Sequence, residues 1–430
     1  MRLLLAIHNV YTDYTSGAAH SVRILMQWLT EAGHECRVLA TARFDARPPD
    51  IDEHLAKLGV PLRRTPPSPT FIRSVRKPRN VVAGRPTVHF TLDAVPVTML
   101  MTRQNGVDRP DPLESAQYLY LFDEMMQRFR PDLLLAYGAH PVVREAMRRA
   151  RRRGVVTVFT LRNRGYEDRR WFKDVDHVLT TSPFLTEYYR QTLGLVSTGI
   201  ESPIAWSEVL APTASRAFVT FVNPSLAKGA AVFARLADML GSERPDIPIL
   251  VVQSAADAGI LTGIPGIDFG QYPQIMAAPP TPRPADFFAL TRILLVPSVF
   301  PEPFGRVAAE AMINGIPPLV SNRGSLPQTV AGAGRVLPIP EWLTEATPQL
   351  PSAEEVRPWF DAVCEWWDQP QRYAEASALA RQTAERLYSE PVLRQRYLDY
   401  FASLRDGQVR APVRGTGDET RALERVRKSP

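Results

Sequence analysis

The chain alternates between short continuous runs of apolar residues and stretches in which apolar residues recur every three to four positions. The apolar run from Arg2 to Asn9 predicts a strand, the helical spacing from Ala18 to Ala32 predicts a helix, and Cys36 to Ala40 predicts a second strand. This order is typical of a right-handed crossover between parallel strands. We therefore predict an α/β domain with a doubly wound sheet.

The same pattern returns in the second half, where a strand over Ala217 to Val222 precedes a helix over Ala230 to Leu240. Prolines interrupt residues 199–213, which predicts a linker between two Rossmann-like domains. A helical pattern follows near the C-terminus, and the last residues are rich in Gly, Pro and charge. The predicted divisions are residues 1–205, 214–390, a helix over 391–405 and a poorly ordered tail over 406–430.

Composition places the chain among ordinary globular proteins, with 45% hydrophobic and 22% charged residues over 430 positions. Only Cys36 and Cys364 are present, so no disulfide framework is indicated and a reduced, cytoplasmic setting is expected. The apolar start is too short for a signal-peptide core, and no apolar run approaches the roughly 20 residues that span a bilayer.

The formal net charge is +6, and nearly all of the positive charge is carried by arginine. The cluster over residues 148–153 indicates a solvated helix face, with contact to an anionic membrane surface or an acidic acceptor as the alternative. No nucleic-acid motif accompanies this charge, so nucleic acid is not an expected partner. Residues 61–86, rich in Pro and Arg, predict a surface loop or insertion.

The strongest candidate for a site lies at residues 297–315. A buried-strand pattern ends there, a loop with Pro301 and Pro303 follows, and a helix is predicted from Arg306 to Met312 with a stop at Asn314 and Gly315. The first amides of such a helix, near Phe304, Gly305 and Arg306, have no intrahelical partner and suit a phosphate.

Two carboxylates flank this predicted anion site. Glu302 precedes the helix, and Glu310 looks out from its side. Two acceptors around an anion site suit a ligand with hydroxyl groups on both sides of a phosphate, which is the layout of a nucleotide sugar. The alternative is that Glu302 only favours the helix start and Glu310 is a solvated surface residue.

A second junction of strand and helix carries Asn223, Ser225 and Lys228. A lysine at this position can place its ammonium group against a diphosphate, unless it is simply exposed. Gly17, before the first helix, allows a similar close approach of backbone to phosphate.

His140 follows the predicted strand over residues 132–136, at the edge of the sheet where ligands bind. It is either a residue of the site or a helix-start histidine, and His8 and His20 are further candidates. The pair Asp174 and Asp176 precedes a strand instead of following one, so no metal site is predicted there.

The segment ADFFALTRILLVPSVFPEPFGRVAAEAMINGIPPLVSNRGSLPQTV resembles the donor site of the retaining glycosyltransferases of family 4, which have the GT-B fold. Glu302 and Glu310 match the E-x7-E motif of that family. The resemblance implies two Rossmann-like domains that face a cleft, with the acceptor on the first domain and the donor on the second. It also implies sugar transfer from a nucleotide-diphosphate sugar, with UDP slightly favoured, to an acceptor hydroxyl. Retention of configuration, and no metal or other cofactor, are further implications.

Roles follow from the resemblance residue by residue. Glu302 would hold the donor sugar and Glu310 the ribose, with a covalent role for Glu302 left open. His140 would be a second catalytic residue. The remaining donor-binding residues would be Gly17, Asn223, Ser225, Lys228, Phe304, Gly305 and Arg306. The family has an arginine where Asn223 stands and a second glycine where Ala18 follows Gly17, so Asn223, Ser225 or Arg306 would substitute for the missing arginine.

Two other functions fit the same sequence. A sugar-nucleotide epimerase would share the architecture, and a non-catalytic nucleotide-sugar-binding protein would use the basic loop at 61–86 for a partner. A nicotinamide enzyme is not indicated, because the first strand lacks a G-x-G-x-x-G turn. The acceptor, whether glycan, lipid, peptide or small molecule, and the oligomeric state are left open.

Overall fold

The computed structural model describes residues 1–44, 50–75, 84–103, 111–212, 216–254, 256, 258–262, 264, 267–347 and 349–405. These residues form two compact units. Among these residues, the first unit contains Met1–Thr181, Thr186–Ile200 and Arg396–Arg405, and the second contains Ser182–Leu185 and Glu201–Gln395. The predicted tail over 406–430 lies outside the described residues.

The first unit is built on a sheet of nine strands among the described residues. The strands are β1 (Arg2–Ala6), β2 (Glu35–Thr41), β3 (Arg63–Thr65), β4 (Thr87–Leu92), β5 (Val95–Leu100), β6 (Leu133–Ala136), β7 (Val156–Leu161), β8 (His177–Thr180) and β9 (Thr198–Gly199). Their order is β3-β4-β5-β2-β1-β6-β7-β8-β9. All neighbours are parallel except the pairs β3–β4 and β4–β5.

The helices that begin in the first unit are α1 (Gly17–Glu31), α2 (Ile51–Ala56), α3 (Pro69–Val75), α4 (Pro112–Arg128) and α5 (Pro141–Arg152). Helix α6 (Pro183–Leu193) begins in the second unit, and its residues from Thr186 onward group with the first. The central strand β1 is buried over Leu3, Leu4 and Leu5, as expected for a strand covered on both faces. Helix α1 packs its buried face on this sheet through residues at helical spacing, such as Val22, Leu25 and Leu29.

The predicted loop over residues 61–86 is only partly a loop. The structure places strand β3 and helix α3 within it, and β3 pairs antiparallel with β4 from Arg63↔His89 to Thr65↔Thr87. Proline is confined to the ends of these short elements, where a missing amide hydrogen is tolerated. Residues 76–83 of this stretch lie outside the described part of the chain.

The second unit has a six-stranded sheet among its described residues, and all neighbouring strands are parallel. The strands are β10 (Phe218–Val222), β11 (Ile249–Val252), β12 (Ile275–Ala278), β13 (Thr291–Val296), β14 (Pro318–Ser321) and β15 (Arg335–Leu337). Their order is β12-β11-β10-β13-β14-β15.

The helices of the second unit are α7 (Trp206–Val209), α8 (Ala230–Glu243), α9 (Gly259–Thr262), α10 (Pro284–Phe288), α11 (Arg306–Ile313), α12 (Leu326–Val330), α13 (Ala353–Asp368) and α14 (Pro370–Tyr388). The tryptophans Trp359 and Trp366 on α13 belong to the hydrophobic core, with exposures of 0% and 5%. Within the stretch predicted as a linker, Trp206 donates Nε1–H to Tyr388 O at 2.8 Å.

The last helix, α15 (Glu390–Arg405), begins in the second unit, and its residues from Arg396 onward group with the first. Tyr397 on this helix packs edge-on against Trp28, with ring centroids 6.4 Å apart, and donates its hydroxyl to Ile200 O. None of the helices in the described ranges combines the length and apolarity needed to cross a membrane.

Each sheet has one place where its strand order reverses. In the first unit it lies between β1 and β6, and in the second between β10 and β13. Loops that leave neighbouring parallel strands in opposite directions at such a point open a crevice at the carboxyl ends of the strands. A ligand site is therefore expected among the residues that follow β1 and β6 in the first unit and β10 and β13 in the second.

Candidate active site

In the second unit, the loops that follow β10 and β13 are joined through their backbones. The amides of Val299 and Phe300 donate to Ala227 O at 3.1 and 3.0 Å. Gly229 has φ +87°, and a Cβ there would lie 2.0 Å from Pro297 O, so only glycine allows this approach. The two loops therefore form one hydrogen-bonded platform.

Lys228 and Glu302 meet on this platform. Lys228 Nζ lies 2.5 Å from Glu302 Oε1, which also accepts a hydrogen bond from Ser298 Oγ at 2.8 Å. The Glu302 side chain is 9% exposed and that of Lys228 is 34% exposed. The predicted site thus contains a direct ion pair between the two residues that the sequence singled out separately.

The backbone of Glu302 is held by the loop that follows β14. Ser325 N donates to Glu302 O at 2.8 Å. Gly324 has φ +61°, and a Cβ there would lie 2.3 Å from Glu302 N and 2.5 Å from Glu302 O. Gly324 was not singled out from the sequence. The available signal was a glycine in the loop that follows a strand of the same sheet.

Helix α11 begins beside this loop, with Gly305 in the left-handed conformation as its N-cap residue. Gly305 has no side chain with which to cap the helix, and a Cβ there would lie 2.6 Å from Leu326 Cδ2. Phe304 is buried and packs edge-on against Tyr388, and its carbonyl accepts from Thr329 Oγ. The first turn of α11 is therefore fixed in place without a side-chain cap.

Glu310 does not look out from the helix as predicted but is buried, at 5% exposure. Arg306 Nε donates to Glu310 Oε1 at 2.6 Å, and Arg306 Nη1 donates to Pro203 O at 2.8 Å. Burial raises the pKa of Glu310, and the Arg306 guanidinium opposes that shift. Arg306, predicted as a phosphate ligand, makes both of these contacts in the structure.

Asn223 and Ser225 use their side chains within the turn after β10. Asn223 has φ +60°, and its Oδ1 accepts from Ala256 N at 3.1 Å. Ser225 Oγ accepts from Lys228 N at 3.3 Å. Both side chains therefore shape the turn that presents Lys228.

Gly17 and His140, also predicted as site residues, belong to the first unit. Gly17 is the first residue of α1 and is exposed, and Ser16 caps the helix by accepting from Ala19 N at 3.4 Å. His140 is the N-cap residue of α5, and its Nδ1 accepts from Val142 N at 3.2 Å. The helix-start role of His140 is thus present in the structure.

His140 also stacks on His8, which sequence reasoning gave less weight. Their ring centroids are 3.5 Å apart at an interplanar angle of 10°, and the two rings follow β6 and β1 at the reversal of the first sheet. Burial, with a contribution from Arg43, lowers the pKa of His8 to about 2 and that of His140 to about 4. Both rings are neutral at neutral pH.

These rings line a cavity of about 330 Å³ inside the first unit. Most of its lining follows β1, β2, β6 and β7, and it includes Asn163. The rest of the lining is His8, Asn9, Ala18, Arg43, Phe44, Tyr137, Gly138, Ala139, His140, Thr160, Arg162 and Tyr166.

From the positions of the histidines we predict that the stability of the first unit decreases more steeply with falling pH than that of the second. All seven histidines of the chain lie in it, and burial lowers the pKa values of His8, His34, His54, His89, His140 and His177. As the pH falls below about 6.5, the unfolded chain binds protons that the folded unit refuses, so stability decreases. Hydrogen exchange should show amides of β1 and β6 losing protection between pH 6.5 and 4.5 before those of β10 and β13.

A variant of His140 tests how much this one imidazole ring contributes to the pH dependence of stability. His140→Asn keeps an N-cap side chain and removes the titrating group. The protection of β6 should depend less on pH in this variant than in the wild type, with little change at pH 7.5. Equal pH dependence in both proteins would contradict the assignment.

The other sequence candidates have structural roles. Asp176 Oδ2 accepts from the amide and hydroxyl of Thr157, and Asp176 Oδ1 lies 3.1 Å from Arg151 Nε. In the arginine cluster, Arg148, Arg149 and Arg153 pair with Glu145 or Asp123. In the described ranges, no three His, Cys, Asp or Glu side chains are grouped as metal ligands would be.

No family model matches the sequence, and no curated protein matches it. Solved structures do match. A glycosyltransferase from Rickettsia africae ESF-5 has a TM-score of 0.63 at 13% identity, over 93% of this chain and 97% of that one. A sucrose-phosphate synthase from Thermosynechococcus elongatus has a TM-score of 0.64 at 14% identity, over 95% and 100%. Anabaena HepE in complex with UDP-glucose has a TM-score of 0.63 at 12% identity, over 93% and 99%.

These similarities confirm the predicted fold class, which is α/β with two parallel-sheet domains of the GT-B type. The chain therefore has the GT-B fold. At these sequence identities the comparison shows the fold and does not establish the function.

Proposed function

We propose that the chain is a glycosyltransferase that moves a sugar from a nucleotide-diphosphate sugar to an acceptor hydroxyl, with retention of configuration and without a metal. The observation that carries this proposal is the ion pair of Lys228 and Glu302 at the strand reversal of the second sheet, beside the start of α11. A cation, a carboxylate and a helix N-terminus at one place provide complementary groups for a diphosphate and a sugar.

Lys228 and the first turn of α11 would stabilise the departing diphosphate. Negative charge grows on the leaving group as the glycosidic bond breaks, and fixed positive groups then contribute most. The joined loops after β10 and β13 hold Lys228 in place before the donor binds, so little reorganisation is required. Asn223 and Ser225 would act by keeping this turn in shape, with the amides of Phe304 and Gly305 beside the distal phosphate.

Glu302 would change partners when the donor binds. Without a donor its carboxylate neutralises Lys228. A diphosphate competes for the ammonium group, and the released carboxylate can accept hydrogen bonds from the sugar hydroxyls. Transfer would follow on the front face, with the leaving phosphate taking the acceptor proton, or through a covalent intermediate on Glu302.

Glu310 would accept the hydroxyls of the ribose. Its burial favours the neutral acid, and Arg306 opposes this effect and fixes the orientation of the carboxyl group. Gly17 would approach the donor through its backbone, and His140 would act as a second catalytic residue where the transferred sugar meets the acceptor. UDP is the favoured nucleotide, supported by the similarity to a protein solved with UDP-glucose.

The donor assignment predicts a specific loss in Glu310→Ala. Nucleoside diphosphate binding should weaken about ten- to a hundredfold, because the hydrogen bonds between the ribose hydroxyls and the Glu310 carboxyl group are lost. Calorimetry with UDP, after a thermal-shift screen of nucleoside diphosphates and nucleotide sugars, measures this loss.

The chain offers a matched control on α14. Arg381 Nε pairs with Glu385 Oε1 at 2.7 Å with the same four-residue spacing as Arg306 and Glu310. Glu385→Ala should leave nucleotide affinity unchanged. Equal affinities in wild type and Glu310→Ala would refute the donor site. Product analysis separates transfer from epimerisation, since an epimerase would release an altered nucleotide sugar without an acceptor.

A further inference from the structure

The charged side chains that line the cavity in the first unit are all positive. Arg43 and Arg162 line it, and no Asp or Glu side chain is among its lining residues. The two stacked histidines add no charge near neutral pH. At about 330 Å³ the cavity is at the small end of the usual range for ligand pockets, so it suits one compact group.

Arg43 shares the carboxylate of Glu114 with a second arginine, Arg85. Its Nη2 lies 3.8 Å from Glu114 Oε2, and Arg85 Nε lies 3.3 Å from Glu114 Oε1. One carboxylate thus faces two guanidinium groups, which leaves this cluster of three residues with a positive charge. Arg43 contributes to the lowered pKa values of both His8 and His140, as expected if its field reaches the rings.

The histidine pair adds a hydrogen-bond donor. Because Nδ1 of His140 accepts the amide hydrogen of Val142, the proton of the neutral ring is on Nε2. This Nε2 is buried and has no hydrogen-bond partner. An unpaired buried donor is costly, and a ligand that accepts its hydrogen would remove that cost.

We propose that this cavity is a subsite for an anionic group, a phosphate monoester or a carboxylate, on the acceptor of the transfer. Arg43 and Arg162 bind the oxyanion, and His140 Nε2–H donates to it. The anionic class of the acceptor rests on the proposed function, whereas the anion site itself rests only on the geometry of the first unit.

Calorimetry tests the site with glucose 6-phosphate, glucuronate and glucose as probes, with UDP titrated in parallel. The two charged sugars distinguish phosphate from carboxylate, and glucose is the neutral reference. We expect at least one charged sugar to bind at least tenfold more tightly than glucose, with weaker binding at high salt. Arg162→Gln should weaken that binding ten- to a hundredfold, Arg162→Lys should restore part of it, and UDP affinity should not change.

Arg170→Gln is the matched control, because Arg170 is an exposed arginine of the same unit that pairs with Asp168. It should bind every probe as the wild type does. Equal binding of glucose and both charged sugars, wild-type affinity in Arg162→Gln, or displacement of the charged sugar by UDP would overturn the anion site. Absence of UDP binding would instead refute the proposed function and leave the anion measurements interpretable.

Discussion

Glu302→Gln is expected to lower the turnover of sugar transfer by about 10²- to 10³-fold while nucleoside diphosphate still binds. The amide keeps the shape of the side chain and removes its charge. Lys228 then loses the carboxylate that lies 2.5 Å from its Nζ, so its ammonium group is available to a diphosphate at all times. UDP affinity should therefore remain the same or increase, whereas the transferred sugar loses its charged acceptor.

Retained UDP affinity together with a reduced turnover would distinguish a role in transfer from general damage. A misfolded second unit would lose both nucleotide affinity and turnover. Glu375→Gln, an exposed glutamate on α14, should retain wild-type values of both. The decisive measurements are kcat with saturating donor and the Kd of UDP by calorimetry, and unchanged kcat in Glu302→Gln would refute the role of Glu302 in transfer.

The sequence predicts elements best where local chemistry and tertiary packing agree. Helix α11 was expected over Arg306 to Met312 and is found over Arg306–Ile313, because its apolar spacing and its Asn-Gly stop indicate the same limits. The β4–β5 hairpin was missed. Its turn residues Asp93 and Ala94 have φ values of 52° and 61°, which usually require Asn-Gly or Asp-Gly, so the turn gave no sequence signal.

The contacts within the candidate site were also only partly predictable from the sequence. Lys228 and Glu302 could each be identified from a strand followed by a helix, but their contact spans 74 residues and depends on β10 lying beside β13. Strand order is not readable from local pattern. The pairing of Arg306 with Glu310 was readable, since a spacing of four residues on a helix places the two side chains together.

Gly324→Ala is expected to reduce transfer and nucleotide affinity together, although residue 324 contributes no functional group. The added Cβ would lie 2.3 Å from Glu302 N and 2.5 Å from Glu302 O, and neither backbone atom can move without the loop. Displacement of this loop moves Glu302 away from Lys228, which reduces transfer. It also disturbs the start of α11, where the diphosphate is proposed to bind, and this reduces nucleotide affinity. Overpacking of this kind costs about 1–3 kcal/mol, on top of the strain of alanine at positive φ.

Gly332→Ala separates the displacement from the strain. Gly332 has φ +82°, close to the +61° of Gly324, but a Cβ there would meet nothing within 4 Å. Both variants therefore carry the conformational cost of alanine in the left-handed region, about 1–2 kcal/mol, and only Gly324→Ala pushes on Glu302. If the position of the Glu302 loop controls the site, Gly324→Ala loses UDP affinity and turnover while Gly332→Ala loses only thermal stability. Equal losses of turnover in the two variants would mean that backbone strain, and not the placement of Glu302, determines the activity.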